Sequence, residues 1–473
     1  MHRHVGPDQS AAAGRVGLEN PSPYGGFIAE LFREFDEKSI RYCVLRNFEG
    51  LPERTDGDVD ILVGPEGLPL VEAILSSLLL GFTLAWRRER DGHVQFMVVP
   101  DDEVRRAVRQ NRPAEVIALD LQFSLQWMGM PYMDTNAVLS SRERRGSFYV
   151  ATLEHMAAHL ACHIILDKNF VKSEYKQAIS DALTRDGQAA FAPLIPFLGK
   201  SAVVNLRSAF AAGDDAEILR TRRRLILSLL HRRRSIRDYL SFLRQKYARR
   251  ARAILFPPGV VVATAGPDGS GKSTVSRRVA VVLSDAFTPV VERYMGGKQF
   301  VLPTKRLLRV LEKAIRRRGA REDGNGASDP LTSVPSWTCN FSVLHYFADL
   351  WARYLFQIRP AQSRGGLVLC DRYFYDIFVR RVWVCENRWI RSLLLALTPR
   401  PSVILLLTGD AEVIAARKGE NTADETARQL KEFAALRNLG GGVVVLDCEN
   451  SLDDNVISAV EGVLTRSTRG VAT

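Results

Sequence analysis

Nothing in this chain is apolar for long enough to cross a bilayer: no run approaches the ~18 residues that a membrane helix needs. A transmembrane role is therefore not expected. The opening Met1-His-Arg-His-Val-Gly-Pro-Asp8 lacks the apolar segment of a secretory signal, which predicts a cytoplasmic protein. Cysteine is sparse: there are six (Cys43, Cys162, Cys339, Cys370, Cys385, Cys448), widely scattered and with no C-x-x-C pair. That excludes a disulfide scaffold and a paired-cysteine zinc site, and leaves small buried hydrophobes in a reducing compartment. Acid is missing from one place. Between Arg220 and Arg252, 13 Arg or Lys face the single acid Asp238, an excess equal to the +12 of the entire chain. The remainder is close to neutral, so the high isoelectric point does not mark a general nucleic-acid binder. Aromatic residues are also thinly interleaved with the basic ones, and nucleic acid is not an expected partner.

What is present supports two or three domains, since 473 residues at 46% hydrophobic content can fill more than one core. The chain is organised around Val260-Val-Val-Ala-Thr-Ala-Gly266-Pro-Asp268-Gly269-Ser270-Gly271-Lys272-Ser273-Thr274. An apolar β-branched run enters a turn of the form G-x-x-x-x-G-K-[ST], and helical spacing (Val275, Val279, Val282) follows at once. Glycines let successive N–H groups curl around phosphate oxygens, and the helix aims its positive end at them. Lys272 then reaches the β- and γ-phosphates of ATP, and the Ser273 hydroxyl holds Mg²⁺. Lys272 is expected to be exposed.

Further parallel strands are predicted at 289–294, 367–371, 402–408 and 443–448, giving an α/β P-loop domain over 257–473. Phe347, Leu350, Trp351, Tyr354, Leu355 and Ile358 repeat at helical spacing, and that helix is expected to pack on the sheet. Before it, the Arg/Gly-rich stretch 316–326 reads as a mobile insertion. Strand 367–371 ends in Asp371-Arg372-Tyr373-Phe-Tyr375-Asp376. A carboxylate at the carboxyl end of a parallel strand beside a phosphate loop is a candidate Mg²⁺ ligand, and an adjacent Arg can clamp an acceptor phosphate.

The N-terminal part carries a second chemical signal. Residues 1–22 read as a flexible terminus, Phe27 to Phe35 as a helix, and Tyr42–Leu45 as a strand. Asp58-Val59-Asp60-Ile-Leu-Val63 follows, with both carboxylates expected on one strand face. Asp120 is the one acid in the strand-like run 115–123. Clustered carboxylates need a cation: Mg²⁺ is one candidate, and Arg46 or Arg54 is the other. His155, His159 and His163 recur at four-residue intervals on one helical stripe; a metal site and histidines packed on the sheet are both conceivable, the second fitting better. Residues 216–256 form the basic segment, read either as an interdomain helix or as an amphipathic helix on anionic lipid.

The D-x-D strand with Asp120 resembles the nucleotidyltransferase superfamily over about residues 24–180. By that resemblance Asp58, Asp60 and Asp120 would hold catalytic metal in an α+β domain of residues 23–215 with a helical subdomain. The superfamily's Gly-Ser turn before D-x-D is missing here, and Arg46-Asn47 and Gly50 stand in that region. The C-terminal part resembles the thymidylate kinase family over about residues 258–466, in Gly266 to Thr274, Phe347-Ala-Asp349, Arg359-Pro360 and Asp371-Arg372-Tyr373. The resemblance implies Lys272, Asp371 and Arg372 as catalytic groups. It also implies ATP contacts from the loop, Arg417 and Asp447, and an acceptor site at Arg293, Arg372, Tyr373 and Asp376. Departures fall on the acceptor side: Arg293-Tyr294-Met295 replaces the usual Arg-Glu-Pro, and Leu350 stands where an Arg is usual. The expected activity is ATP- and Mg²⁺-dependent phosphorylation of a small metabolite, fused to a nucleotidyltransferase-like domain. A divergent thymidylate kinase with an inactive N-terminal domain, and a nucleotide-switched membrane adaptor, are the alternatives. The pairing is similar to that in proteins of bacterial surface-polysaccharide gene clusters.

Overall fold

The computed structural model describes residues 23–54, 57–90, 92–232, 236–296, 336–380, 388–419, 421–439 and 442–469. The expected flexible terminus (1–22) and the insertion at 316–326 lie outside them.

The N-terminal sheet is built on β1 (Tyr42–Arg46) and β2 (Val59–Val63), both buried along their whole length. Their apolar runs fit a central position covered on both faces. Joined to them are β3 (Phe82–Arg90), β4 (His93–Pro100), β5 (Ile117–Gln122), β6 (Glu143–Arg145) and β7 (Phe148–Val150). The seven strands run in the order β3-β4-β5-β2-β1-β7-β6. The Phe27–Phe35 spacing forms α1 (Pro23–Glu37), which buries Phe27, Ile28, Leu31, Phe32 and Phe35 against one face. The other face carries helices, among them α2 (Leu153–Cys162), α3 (Asp215–Arg232) and α4 (Ile236–Leu255). Leu225, Leu229 and Phe242 of the basic segment are buried in that core, so its helices pack on the N-terminal domain.

The C-terminal sheet has five parallel strands: β8 (Val260–Ala265), β9 (Val290–Tyr294), β10 (Leu367–Asp371), β11 (Val403–Thr408) and β12 (Gly442–Asp447). All five expected strands are found, in the order β9-β10-β8-β11-β12. Helix α5 (Lys272–Val282) follows the Gly-rich turn directly. In the helix before β10, Leu350 and Ile358 are fully buried, but Leu355 is half exposed. A wide π-turn over Tyr354–Ile358 adds a residue to the turn and rotates the following face. Alternation by 3.6 does not anticipate that shift.

The two halves share a core. Met97, Val99, Val104, Ala107 and Val108 pack with Val275, Val279, Val460 and Leu464, the last two from α6 (Leu452–Arg469). The Ala114 N–H donates to the Val282 carbonyl at 2.9 Å and Trp86 Nε1 to the Ala286 carbonyl at 2.6 Å.

Candidate functional site

The Gly266–Thr274 turn sits at the carboxyl end of β8, between β10 and β11. Its curl needs residues without a Cβ. At Gly266 (φ +149°) a Cβ would meet the Leu407 carbonyl at 2.9 Å, and at Gly269 (φ +91°) the Ile414 carbonyl at 2.6 Å. The second contact ties the turn to helix α7, which we assign to Ala411–Lys418 and which carries Arg417.

The strand register then brings the chemistry together. Thr264 pairs with Asp371, and the Ser273 hydroxyl donates to Asp371 Oδ2 at 2.7 Å. Asp371 Oδ1 is buried without a hydrogen-bond partner. One hydroxyl and one carboxylate with an unsatisfied oxygen, side by side at a helix N-terminus, are hard oxygen donors suited to Mg²⁺. The residues fit the ion that the motif implies.

Lys272 departs from expectation. It is only 6% exposed, and its ammonium donates to the carbonyls of Gly266 (2.9 Å) and Pro267 (2.5 Å), with Asp268 Oδ1 at 3.6 Å. Burial lowers its pKa, while Asp376 and Asp268 oppose the shift. The charge is folded into the concave side of the turn because carbonyls and a carboxylate there can receive it.

Arg372 lies at φ +65°, a left-handed conformation that a non-Gly residue holds at a cost of about 1 kcal/mol or more. Its Nη2 donates to Asp268 Oδ1 at 2.8 Å, which turns the guanidinium toward the phosphate turn. The carboxylate of Asp376 accepts from the Tyr373 N–H at 3.1 Å and lies 4.0 Å from Arg372 Nη1. Arg293 is exposed at the end of β9. The Tyr373 ring is buried and its hydroxyl donates to the Pro399 carbonyl at 2.9 Å. Around the far side of the turn, Arg417 Nη2 donates to the Cys448 carbonyl at 3.2 Å. Cys448 Sγ reaches the Ser270 carbonyl at 3.1 Å, and Asp447 Oδ1 accepts from the Glu449 N–H at 3.0 Å. Cys448 thus links Arg417 and its neighbour Asp447 to the loop. Thr274 is exposed in the first turn of α5.

In the N-terminal domain, Arg46, Asp60, Asp120 and Gln95 are neighbours in one row across β1, β2, β5 and β4. A bulge creates the row: Val44 pairs with Ile61, but Arg46 pairs with Asp60, so Leu45 is skipped. Arg46 grips Asp60 with both ends of its fork, Nε to Oδ2 at 2.7 Å and Nη2 to Oδ1 at 2.9 Å. Arg46 is 7% exposed and Asp60 fully buried. Burial works against the guanidinium's charge, but Asp60 outweighs it and its pKa rises. Asp120 Oδ2 accepts from Gln95 Nε2 at 2.9 Å, while Oδ1 is buried without a partner. Burial first, then the Asp60 charge, pushes its carboxyl up to about 7. Asp58 follows the bend at Gly57 just before the strand, and burial first, then the Asp60 charge, raises its carboxyl pKa.

Asp60 and Asp120, two of the three expected metal ligands, are adjacent in that row. Both Asp60 oxygens are committed to Arg46, and among the described residues no three His, Cys, Asp or Glu side chains are grouped to hold a metal. Arg46, one of the cations open to the sequence, is paired with Asp60. The histidine stripe is likewise packed. Tyr132 Oη lies 3.0 Å from His159 Nδ1, His163 Nδ1 lies 3.5 Å from Asp167, and His155 Nδ1 lies 2.8 Å from the Thr152 hydroxyl. Sequence reasoning missed Gln95 and the bulge, which leave no local pattern.

No protein-family model matches this chain, and no curated protein does. Among solved structures, the chain is similar to the crystal structure of a thymidylate kinase from Ehrlichia chaffeensis. That match has 17% sequence identity and a TM-score of 0.29, and covers 43% of this chain and 98% of the other.

Proposed function

We infer that the C-terminal domain is an ATP-dependent kinase that phosphorylates a small molecule. The observation that carries this reading is the 2.7 Å contact between Ser273 and Asp371 at the mouth of a phosphate loop. Ser273 and Asp371 would hold Mg²⁺, whose charge would offset the charge that develops in transfer. The chain's own groups do the rest. Backbone N–H groups of the loop hold the β-phosphate. The Lys272 ammonium, held by two carbonyls, is within the turn that such a phosphate would enter, and charge there strengthens in a site shielded from water. Arg417, Asp447 and Cys448 flank the loop on the side opposite Asp371, where the donor's nucleoside would lie.

Arg372, Arg293 and Asp376 are the polar groups on the acceptor side. Two guanidinium groups favour an acceptor that already carries a phosphate. Leu350 is fully buried, and the Tyr373 hydroxyl is spent on Pro399, so neither offers an edge to a nucleobase. Thymidylate is therefore expected to be a poor acceptor. The test is mass spectrometry of products formed from γ-labelled ATP and Mg²⁺ with a metabolite extract, alongside purified thymidylate. A labelled phosphorylated metabolite supports the reading. Turnover of thymidylate at a kcat/KM of ~10⁴ M⁻¹s⁻¹ or more would make it a thymidylate kinase instead. ATP hydrolysis without any labelled acceptor would favour a nucleotide-driven switch. No metal-dependent step is assigned to the Arg46–Asp60 cluster.

A further inference from the structure

The basic segment has a second face. On α4, Leu240, Tyr247 and Ile254 are seven residues apart, about two helical turns, and so fall on one stripe. All three are more than half exposed, whereas Phe242 is buried against Trp127 with ring centroids 5.9 Å apart. One side of the helix therefore packs on the N-terminal core, and another apolar side is uncovered. The stripe continues into Leu255 and Phe256, which are 64% and 75% exposed. Arg359 then joins a second element to its end, donating to the carbonyls of Ile254 and Leu255. One turn before Arg359 stand Leu355 and Phe356, and Phe356 is 72% exposed. The two elements thus bring Ile254, Leu255, Phe256, Leu355 and Phe356 to one place.

An uncovered apolar patch of this kind marks an interaction surface, and its surroundings say of what kind. Arg244 and Arg252 are exposed on α4 and Arg223 and Arg224 on α3, within the stretch that holds 13 basic residues and one acid. The complementary surface must be both anionic and able to take apolar side chains. A second copy of this face carries the same positive charge and is repelled. We propose that α3, α4 and the Leu355–Phe356 turn form a docking surface for an anionic lipid bilayer, with the aromatic side chains inserted among the headgroups. Among the described residues no helix is long and apolar enough to span a membrane, so the protein lies on the bilayer. The patch adjoins the start of β8 and β10, through Gly259 and the Gln362 carbonyl (2.9 Å), while the phosphate loop leaves the other end of β8. Docking therefore leaves the nucleotide site open to solvent.

The test is flotation of the full chain with vesicles of phosphatidylcholine alone or mixed with phosphatidylglycerol, without ATP. The expected result is binding only to the mixed vesicles, weakened about tenfold or more by molar salt. Phe256→Ser/Phe356→Ser should lose at least about tenfold in binding while keeping its circular dichroism spectrum and ATP affinity. Because that variant alters apolar groups, Arg244→Glu/Arg252→Glu serves as an independent probe and should lose binding comparably. No binding to phosphatidylglycerol vesicles would overturn the proposal. So would binding that neither variant changes, or a wild-type dimer in sedimentation equilibrium that the phenylalanine variant converts to monomer.

Discussion

At the scale of single residues, two shielded titratable groups behave differently because their partners differ. Asp120 shares a row with Asp60 and has one oxygen without a donor, so its native carboxyl keeps its proton to about pH 7. An unfolded Asp gives the proton up near pH 4. The folded state thus binds more protons between those limits, and this group's contribution to stability falls as pH rises through them, then levels off. Asp120→Asn should remove the dependence: its stability relative to wild type should rise by about 4 kcal/mol from pH 4 to 7 and then level off. Urea unfolding across that range would show it, and a gain that is flat with pH would contradict the assignment. Lys272 presents the opposite case, a buried ammonium received by two carbonyls. Lys272→Ala should keep the fold, since the loop's shape rests on its glycines, but lower the transfer rate by ~10² or more. Retention of near-wild-type transfer would remove Lys272 from the site.

At the scale of elements, the parallel strands of the C-terminal sheet were legible because fully buried strands read as unbroken apolar runs between turn residues. The phosphate loop was legible because strand, glycines and helix must follow in that order. The row in the N-terminal sheet was less so. Alternation placed Asp58 and Asp60 on one face, but the bulge at Leu45 sets Arg46 opposite Asp60, and a bulge is a register event with no local residue pattern. The π-turn at Tyr354–Ile358 escaped for the same reason and released Leu355 to solvent. One contact between elements is open to direct test. Gly269 lies under the Ile414 carbonyl of α7 at positive φ. Gly269→Ala should therefore strain the turn and push α7 away, lowering stability by roughly 1–3 kcal/mol and weakening ATP binding together. Thermal unfolding and nucleotide titration of the same variant would check both, and a stable variant with full affinity would contradict the packing.

At the scale of the molecule, composition and motif order separated two chemical halves, but not the way they are joined. Met97, Val99, Val104 and Val108 look like surplus apolar residues until α5 and α6 are seen to cover them. The shared core predicts that the full chain unfolds in one calorimetric transition and that a 1–215 fragment, stripped of that cover, aggregates or binds hydrophobic dye. Two separate transitions and a soluble, folded fragment would contradict it. The central claim concerns the other end of the same sheet, where Ser273 and Asp371 meet at the phosphate loop. Isothermal titration of ATP into the full chain, with Mg²⁺ or with EDTA, tests it most directly. The expected result is binding that Mg²⁺ strengthens about tenfold or more in the wild type, with that difference abolished in Asp371→Asn. No ATP binding, or a Mg²⁺ effect that survives in Asp371→Asn, would contradict the account.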